Sequence, residues 1–485
     1  MTADAKEVVA ESSGQGGRVD RVPTHRGSSA LGILNMKRGE FRLAAMSALF
    51  FFLVLCGYFF LRPVREAMGV ARGMDELRWL FATTCGVSLV VVLAFGGVVA
   101  RMNRRRFIPA AYLFVIVCLL GFAALLIQDV RAGGGLIGTD AQTGLSRAVG
   151  YTFFVWLTVI NLFATSVFWA FMVDIFDVDQ GKRMFAFIGI GGTLGALAGG
   201  WATNLISRMT ETPYLPAGLM MLGAGFFGLA IAVMLILDRM TMPSKGRGVG
   251  TPDPDRPDDH PKQAGASDSA ERGSRVGGSA WEGLRTILTV PYMGGVGLWI
   301  VFMAVSNTLV YFRQASIILS ESDTFSQLVG SFAQFDVVAQ AATLITQVFI
   351  TTHVIRKLGV GWTLAILPLV TLAGFAVLAV WPVYGVMMIF QAVHRATRYA
   401  ISRPARETLF SVVKPSEKYK AKPVADVFLY RTGDLAGAGI DGLFAGIGLT
   451  LAWMAMATAP LAAMWAVLSI GLGRAQARRV AVQRR

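Results

Sequence analysis

Seven arginines stand inside otherwise apolar stretches: Arg62, Arg313, Arg395, Arg398, Arg403, Arg406 and Arg431. A charge in hydrocarbon costs about 2.5–3.5 kcal/mol on insertion scales, so each must face a partner or a water-filled hollow. At 100° per residue, Arg395, Arg398, Ser402 and Arg406 fall within about 80° of one another on a helix, and Tyr58, Arg62 and Arg65 form a second stripe. A guanidinium is permanently charged and presents a flat fork of donors that matches phosphate or carboxylate. Two cationic stripes lining one passage therefore imply an anionic cargo. For Arg62, Arg65, Arg403 and Arg406 a second reading stays open, that of helix-end arginines snorkelling to headgroups. Arg395 and Arg398 are expected ~20 Å from the outer end of their helix, too deep for that.

Acidic residues supply counterparts. Asp174 and Asp177 are expected near Arg403, Arg406 and Glu407, as an inner gate of ion pairs. An outer gate would join Arg62, Arg65 or Glu66 to Arg313, Glu321 or Asp323. Static pairing at helix ends is the alternative for both. Asp336, flanked by Gln334 and Gln340, is the candidate for proton or ion coupling, or else a buried arginine partner. Arg431 and Asp434, three apart, suit a structural pair. Asn161, Trp169, Tyr58 and Asn307 offer stacking or hydrogen bonds to the uncharged part of a cargo. His394, beside Arg395, is the histidine placed to respond to pH. Gly191, Gly195 and Gly199 have the spacing of close helix packing, and the strand and Gly-Lys-Ser/Thr of a phosphate loop are missing. No metal-ligand cluster, nucleophile triad or ATPase motif is found, so neither catalysis nor a cofactor is expected.

The elements that must carry these residues are membrane helices. Of 485 residues, 54% are hydrophobic and 15% charged, against roughly 25% charged in a soluble domain, which excludes a water-soluble globule. Apolar spans are read at 41–62, 77–100, 107–127, 149–176, 184–206, 214–237, 291–318, 325–352, 362–381, 383–412, 424–447 and 448–473. The expected class is an all-α membrane protein of twelve helices in two six-helix halves, 41–237 and 291–473. Residues 1–40 read as a polar cytoplasmic tail, 238–290 as a Pro-, Gly- and Ser-rich cytoplasmic linker and 474–485 as a basic cytoplasmic tail. Most of the 45 Lys and Arg fall on the side of both termini, as in Arg101-Met-Asn-Arg-Arg-Arg106, which puts that side in the cytoplasm of a bacterial-type inner membrane. The net charge of +15 thus reports topology, with a contribution from anionic lipid, and not nucleic acid as partner. Cys56, Cys85 and Cys118 sit singly in apolar blocks and read as core residues. No cleaved leader is expected ahead of the first span.

Two six-helix halves joined by a long linker resemble the major facilitator architecture, built of inverted three-helix repeats. Arg62-Pro63-Val64-Arg65-Glu66 and Arg403-Pro404-Ala405-Arg406-Glu407 are repeated copies that fall on opposite sides of the membrane. Three segments are similar to the ATP/ADP translocase family of nucleotide antiporters. Arg62, Arg65 and Glu66 match its Arg-x-x-Lys-Asp/Glu. Phe168-Trp169-Ala170-Phe171 through Lys182-Arg183-Met184-Phe185 resembles its Phe-Trp-Gly-Phe and Ala-Lys-Arg-Phe region. Arg398-Tyr399, Pro404-x-Arg406-Glu407, Lys420-x-Lys422, Asp426-Val427 and Arg431-x-Gly433 follow its order without a gap. The resemblance implies the fold and a nucleotide-type cargo. Three departures bear on substrate: arginines at 65 and 406 where the family has lysine, no acidic residue from Phe153 to Thr165, and Asp434 in place of a basic residue.

The function expected is alternating-access transport of an anionic, phosphorylated or nucleotide-type solute, held by Arg62, Arg65, Arg395, Arg398 and Arg406. Two alternatives stand beside it, a proton-coupled symporter or exporter using Asp336, and a non-transporting membrane scaffold. Oligomeric state is not legible.

Overall fold

The protein is described here from a computed structural model covering residues 38–99, 104–134, 137, 142–176, 178–241, 280–413, 421–422, 424–448 and 451–483. Regular structure among these residues is entirely helical, as it must be where no water can take up backbone polar groups. The first half comprises α1 (Arg38–Val70), α2 (Met74–Val99), α3 (Arg104–Arg131), α4 (Gly144–Ile175), α5 (Val178–Met209) and α6 (Leu215–Thr241). The second comprises α7 (Pro291–Ser320), α8 (Phe325–Phe349), α9 (Thr351–Val380), α10, α11 and α12 (Leu451–Gln483). Helix α10 runs from Tyr384 to Ala396, passes through a π turn at Thr397–Ser402 and continues over Arg403–Leu409. Helix α11 opens with a π turn at Val424–Leu429 and continues over Tyr430–Gly446. Nine of these helices are long and apolar enough to cross a membrane among the described residues, α2, α10 and α11 not being in that set.

Local signals set the helix ends. Thr143 caps α4 by accepting from the Ser146 N–H at 3.1 Å, Thr324 caps α8 by accepting from Gln327, and Pro291 opens α7 in the first turn, where its missing N–H costs nothing. The ends of the bundle are distinguishable. One carries the starts of α1 and α7 and the end of α12, and is called the linker side; the other carries the short turns after α1 and α7 and is called the distal side.

Several expected boundaries move. Helix α1 does not stop at residue 62 but continues to Val70 with Pro63 inside it, so Arg62 lies ~12 Å from the distal end of its helix. The expected 474–485 tail is largely a continuation of α12, whose Gln476 donates to the Thr408 carbonyl at 2.7 Å and whose Arg479 covers the Tyr292 ring at 4.4 Å. The end of the expected linker forms a short helix, Ala280–Thr289, with Ile287 buried against the second half. Residues 1–37 and 242–279 lie outside the described residues.

Two features fix α1, which carries half of the site. A Cβ on Gly191, Gly195 or Gly199 of α5 would run into the carbonyl of Ala48, Phe52 or Cys56, one turn apart along α1. The expected small-residue stripe is therefore the contact that lets the two backbones touch. The second feature concerns the prolines. Pro63 cannot donate to the carbonyl four residues back, that of Phe59, and Thr203 of α5 donates to it instead at 3.4 Å. Pro404 likewise leaves the Ala400 carbonyl free, and Thr351 of α9 donates to it at 2.9 Å. Each copy of the Arg-Pro motif thus has its freed carbonyl satisfied by a threonine of a neighbouring helix.

Gly195→Ala should lose about 1–3 kcal/mol through forced separation of α1 and α5. Gly189→Ala, with open space around it, should gain up to ~1 kcal/mol from helix propensity. Thermal unfolding in detergent reads both signs.

Candidate functional site

A cavity of about 740 Å³ lies between the halves, walled by α1, α2 and α4 on one side and α7, α8, α10 and α11 on the other. Arg62, Arg65, Arg395, Arg398, Arg403 and Arg431 all line it. A second cavity of about 540 Å³ adjoins it toward the linker side, sharing Arg398, Tyr399, Arg403, Tyr430 and Arg431 and adding Arg406, Glu407, Lys422 and Asp426. The two form one path from the centre to the linker side, with the five shared residues as its neck.

Most of these charges are already paired. Asp336 of α8, buried, takes Arg62 Nη1 and Arg395 Nη1 on the same oxygen, each at 2.6 Å. Glu66, also buried, accepts from Arg65 and from the Tyr311 hydroxyl at 2.5 Å. Arg65 further donates to Thr158 at 3.0 Å and lies over the Phe154 ring. Arg431 pairs with Asp434 at 3.2 Å, the expected structural pair, and Thr308 donates to the same aspartate. Arg398 is different. One of its nitrogens reaches the Tyr430 hydroxyl at 3.4 Å, its guanidinium lies over the Tyr399 ring, and its Nε is buried without an acceptor. Arg403 is exposed, and among the described residues no carboxylate pairs with Arg398 or Arg403. Six guanidinium groups thus share three carboxylates around the cavity.

The π turn decides which side chains face it. On a continuous α-helix Arg398 and Arg403 would point about 140° apart and Ser402 would share the face of Arg398. Instead the Arg403 N–H bonds the Arg398 carbonyl, five residues back, which stacks Arg403 one turn beyond Arg398. Ser402 is fully buried in consequence, and Arg403 takes the cavity-facing place.

The distal side is closed by pairs between the halves. Besides Arg62–Asp336 and Tyr311–Glu66, Arg78 of α2 pairs with the fully buried Asp441 of α11 at 2.9 Å, and Asn204 of α5 donates to the Gly330 carbonyl of α8 at 2.8 Å. Asp441 is also held by Arg313 of its own half. The outer pairing expected from the sequence is therefore corrected. Arg313 joins Asp441 and not α1, and the partners of α1 are Tyr311 and Asp336, because α1 extends past residue 62 and carries its charges below the helix end. At the linker side, Arg406 pairs with Asp426 at 3.2 Å and Glu407 with Lys422 at 2.6 Å, all within the second half. The partners expected there from helix four are not these. Asp174 is exposed at the end of α4, and Asp177 lies outside the described residues.

Of the expected binding residues, Tyr58, Arg62, Arg65, Asn161, Asn307, Arg395 and Arg398 meet in the central cavity, and Arg406 joins the outer one. Trp169 does not line either. It is packed among Phe51, Phe168 and Phe185 at 5.3 to 5.5 Å between ring centres. His394 is buried against the Phe390 ring and lines neither cavity. Thr158, Tyr311, Tyr399 and Tyr430 were not anticipated. Their sequence signal is polarity inside an apolar span, with Tyr399 and Tyr430 each next to an arginine.

No protein-family model matches the chain, and no curated protein matches it. Solved structures do resemble it. A nucleoside transporter, NupG (D323A mutant), superposes with a TM-score of 0.52 at 14% identity, covering 90% of this chain and 99% of that one. A bacterial homologue of the iron transporter ferroportin in the inward-facing state gives 0.57 at 12% identity, covering 89% and 99%. PepTSo, a POT family transporter, gives 0.57 at 12% identity, covering 90% and 98%. At these identities the likeness shows the fold, which is the all-α, major facilitator-like membrane architecture of two six-helix halves.

Asp336→Asn should strand two guanidinium groups at once and cost about 3–5 kcal/mol, the usual loss on breaking a buried pair. Adding Arg395→Met should recover part of it, which unfolding midpoints of the single and double variants would read.

Proposed function

We propose that this chain is an alternating-access secondary carrier, not an enzyme, whose cargo is an anionic, phosphorylated solute of nucleotide type. The observation that carries the reading is the charge imbalance around the cavity, six guanidinium groups against three carboxylates, with no carboxylate among the described residues paired to Arg398 or Arg403 at its neck. An excess of positive charge away from bulk water favours an incoming anion, and polyphosphate matches several forks together. The likeness in fold to solved nucleoside, peptide and iron-transporter-related proteins supports transport. The motif resemblance noted in the sequence favours nucleotides within that class.

In this reading the linker side is cytoplasmic in a bacterial-type inner membrane, by the distribution of Lys and Arg, and the conformation described is open inward. The distal latches suit a reversible closure. Asp336 and Asp441 each sit between an arginine of their own half, Arg395 or Arg313, and one of the other half, Arg62 or Arg78. When the halves part on the distal side, each carboxylate keeps a cationic partner, so no lone buried charge is left. Proton coupling through Asp336 is disfavoured, since the carboxylate is already engaged by Arg62 and Arg395, each at 2.6 Å on one oxygen. Asp174, Arg403 and Glu407 belong in this scheme to the rim that closes when the carrier turns outward.

Proteoliposomes with the purified protein should take up labelled ATP or ADP at least tenfold faster when loaded with unlabelled nucleotide than when empty. Uptake driven by a pH gradient, indifferent to internal nucleotide, would contradict exchange. No uptake of any phosphorylated solute would contradict the cargo class.

A further inference from the structure

We infer that the cavity is divided into an anion subsite on α10, formed by Arg398 and Arg403, and a set of uncharged reading groups, Asn161 and Thr165 of α4 and Asn307 of α7. The inference rests on the proposed carriage of a phosphorylated solute and says which end of it binds where.

The division follows from what each guanidinium is free to do. Arg62, Arg65 and Arg395 face the cavity but are committed to Asp336 and Glu66, which close the distal side. An anion drawn to them would have to displace a buried carboxylate. Arg398 and Arg403 displace nothing. They are stacked one turn apart by the i to i+5 bond of the π turn, they lie at the neck shared by both cavities, and the buried Nε of Arg398 has no acceptor. The Tyr430 hydroxyl, already 3.4 Å from Arg398, adds a neutral donor to the same spot. Two stacked forks and a hydroxyl present donors to several oxygens at once, which suits a di- or triphosphate better than a single carboxylate.

Elsewhere in the lining the chemistry changes. Asn161 and Thr165 of α4, four apart, share a face, and Asn307 of α7 joins them in the lining. None of the three side chains makes a hydrogen bond with the described residues. Each amide offers two donors and an acceptor without charge, the groups that read the edge of a base or the hydroxyls of a sugar. A solute reaching from Arg398 to Asn161 would touch α10 of the second half and α4 of the first. Its length would then report whether the linker side can close.

Equilibrium binding of inorganic pyrophosphate and of ATP, GTP, CTP and UTP to the purified full-length protein separates the two functions. Arg398→Gln and Arg403→Gln should each weaken pyrophosphate and ATP alike by at least tenfold. Arg403→Lys should fall between that variant and wild type. Asn161→Ala and Asn307→Ala should leave pyrophosphate within twofold and change the ratios among the four nucleotides by at least fivefold. Neither arginine sits in a carboxylate pair, so folding should survive, and size-exclusion profiles check this; if a Gln variant fails to fold, the Lys variants at both positions carry the comparison. Pyrophosphate binding that persists in the variants of Arg398 and Arg403 would overturn the subsite, as would asparagine variants that weaken pyrophosphate as much as ATP. Wild-type protein that binds none of the five probes would overturn the proposed function itself.

Discussion

The structure turns on one shared carboxylate. Asp336 accepts Arg62 from one half and Arg395 from the other on a single oxygen, buried where an unpaired charge of either sign is costly. That contact ties α1, α8 and α10 together partway along their lengths and bounds the cavity toward the distal side. It also uses two of the six guanidinium groups that line it, so the positive excess falls lower, at Arg398 and Arg403. Where the halves are joined and where an anion is wanted are thus two consequences of one allocation of charge.

The backbone makes that allocation possible. Three glycines let α5 lie against the carbonyls of α1, which holds the α1 arginines in line. Proline does the equivalent work in α10. Pro404 cannot continue the ladder, the Ala400 carbonyl turns to Thr351, and the turn before it widens into a π turn. Widening adds one residue per turn and so brings Arg403 onto the face of Arg398. A π turn inside a helix commonly marks a functional position, and here the reason is visible in the register it imposes.

Much of this was legible in the sequence. The all-helical class, the small-residue stripe of α5 and the Arg431–Asp434 pair follow from hydropathy and helical spacing, and the structure has each of them; of the twelve expected spans, nine are helices long and apolar enough to cross a membrane among the described residues. The cavity positions of Arg62, Arg65, Arg395 and Arg398 follow from the cost of burying charge. Other features were not readable. Helix α1 was expected to end at Arg62 because Arg-Pro looks like a terminus, and only a tertiary partner, Thr203, makes its continuation affordable. A constant 100° per residue placed Ser402 in the cavity and left Arg403 for a gate, since a π turn leaves no mark on periodicity. Pairings such as Arg313 with Asp441 join helices more than a hundred residues apart and depend on how the halves meet. Trp169 shows the limit of residue type alone, being an aromatic residue suited to stacking on a base that packs instead in the core of its own half.

The account is tested most directly by a cryo-EM map of the protein in lipid nanodiscs with saturating ATP. It predicts density for a chain of phosphates at the neck, within hydrogen-bonding distance of both Arg398 and Arg403, with the Asp336 bridge to Arg395 intact. Phosphate density beside Arg62 and Arg395 with Asp336 displaced, or a cavity without nucleotide and with Arg398 turned toward a carboxylate, would contradict it.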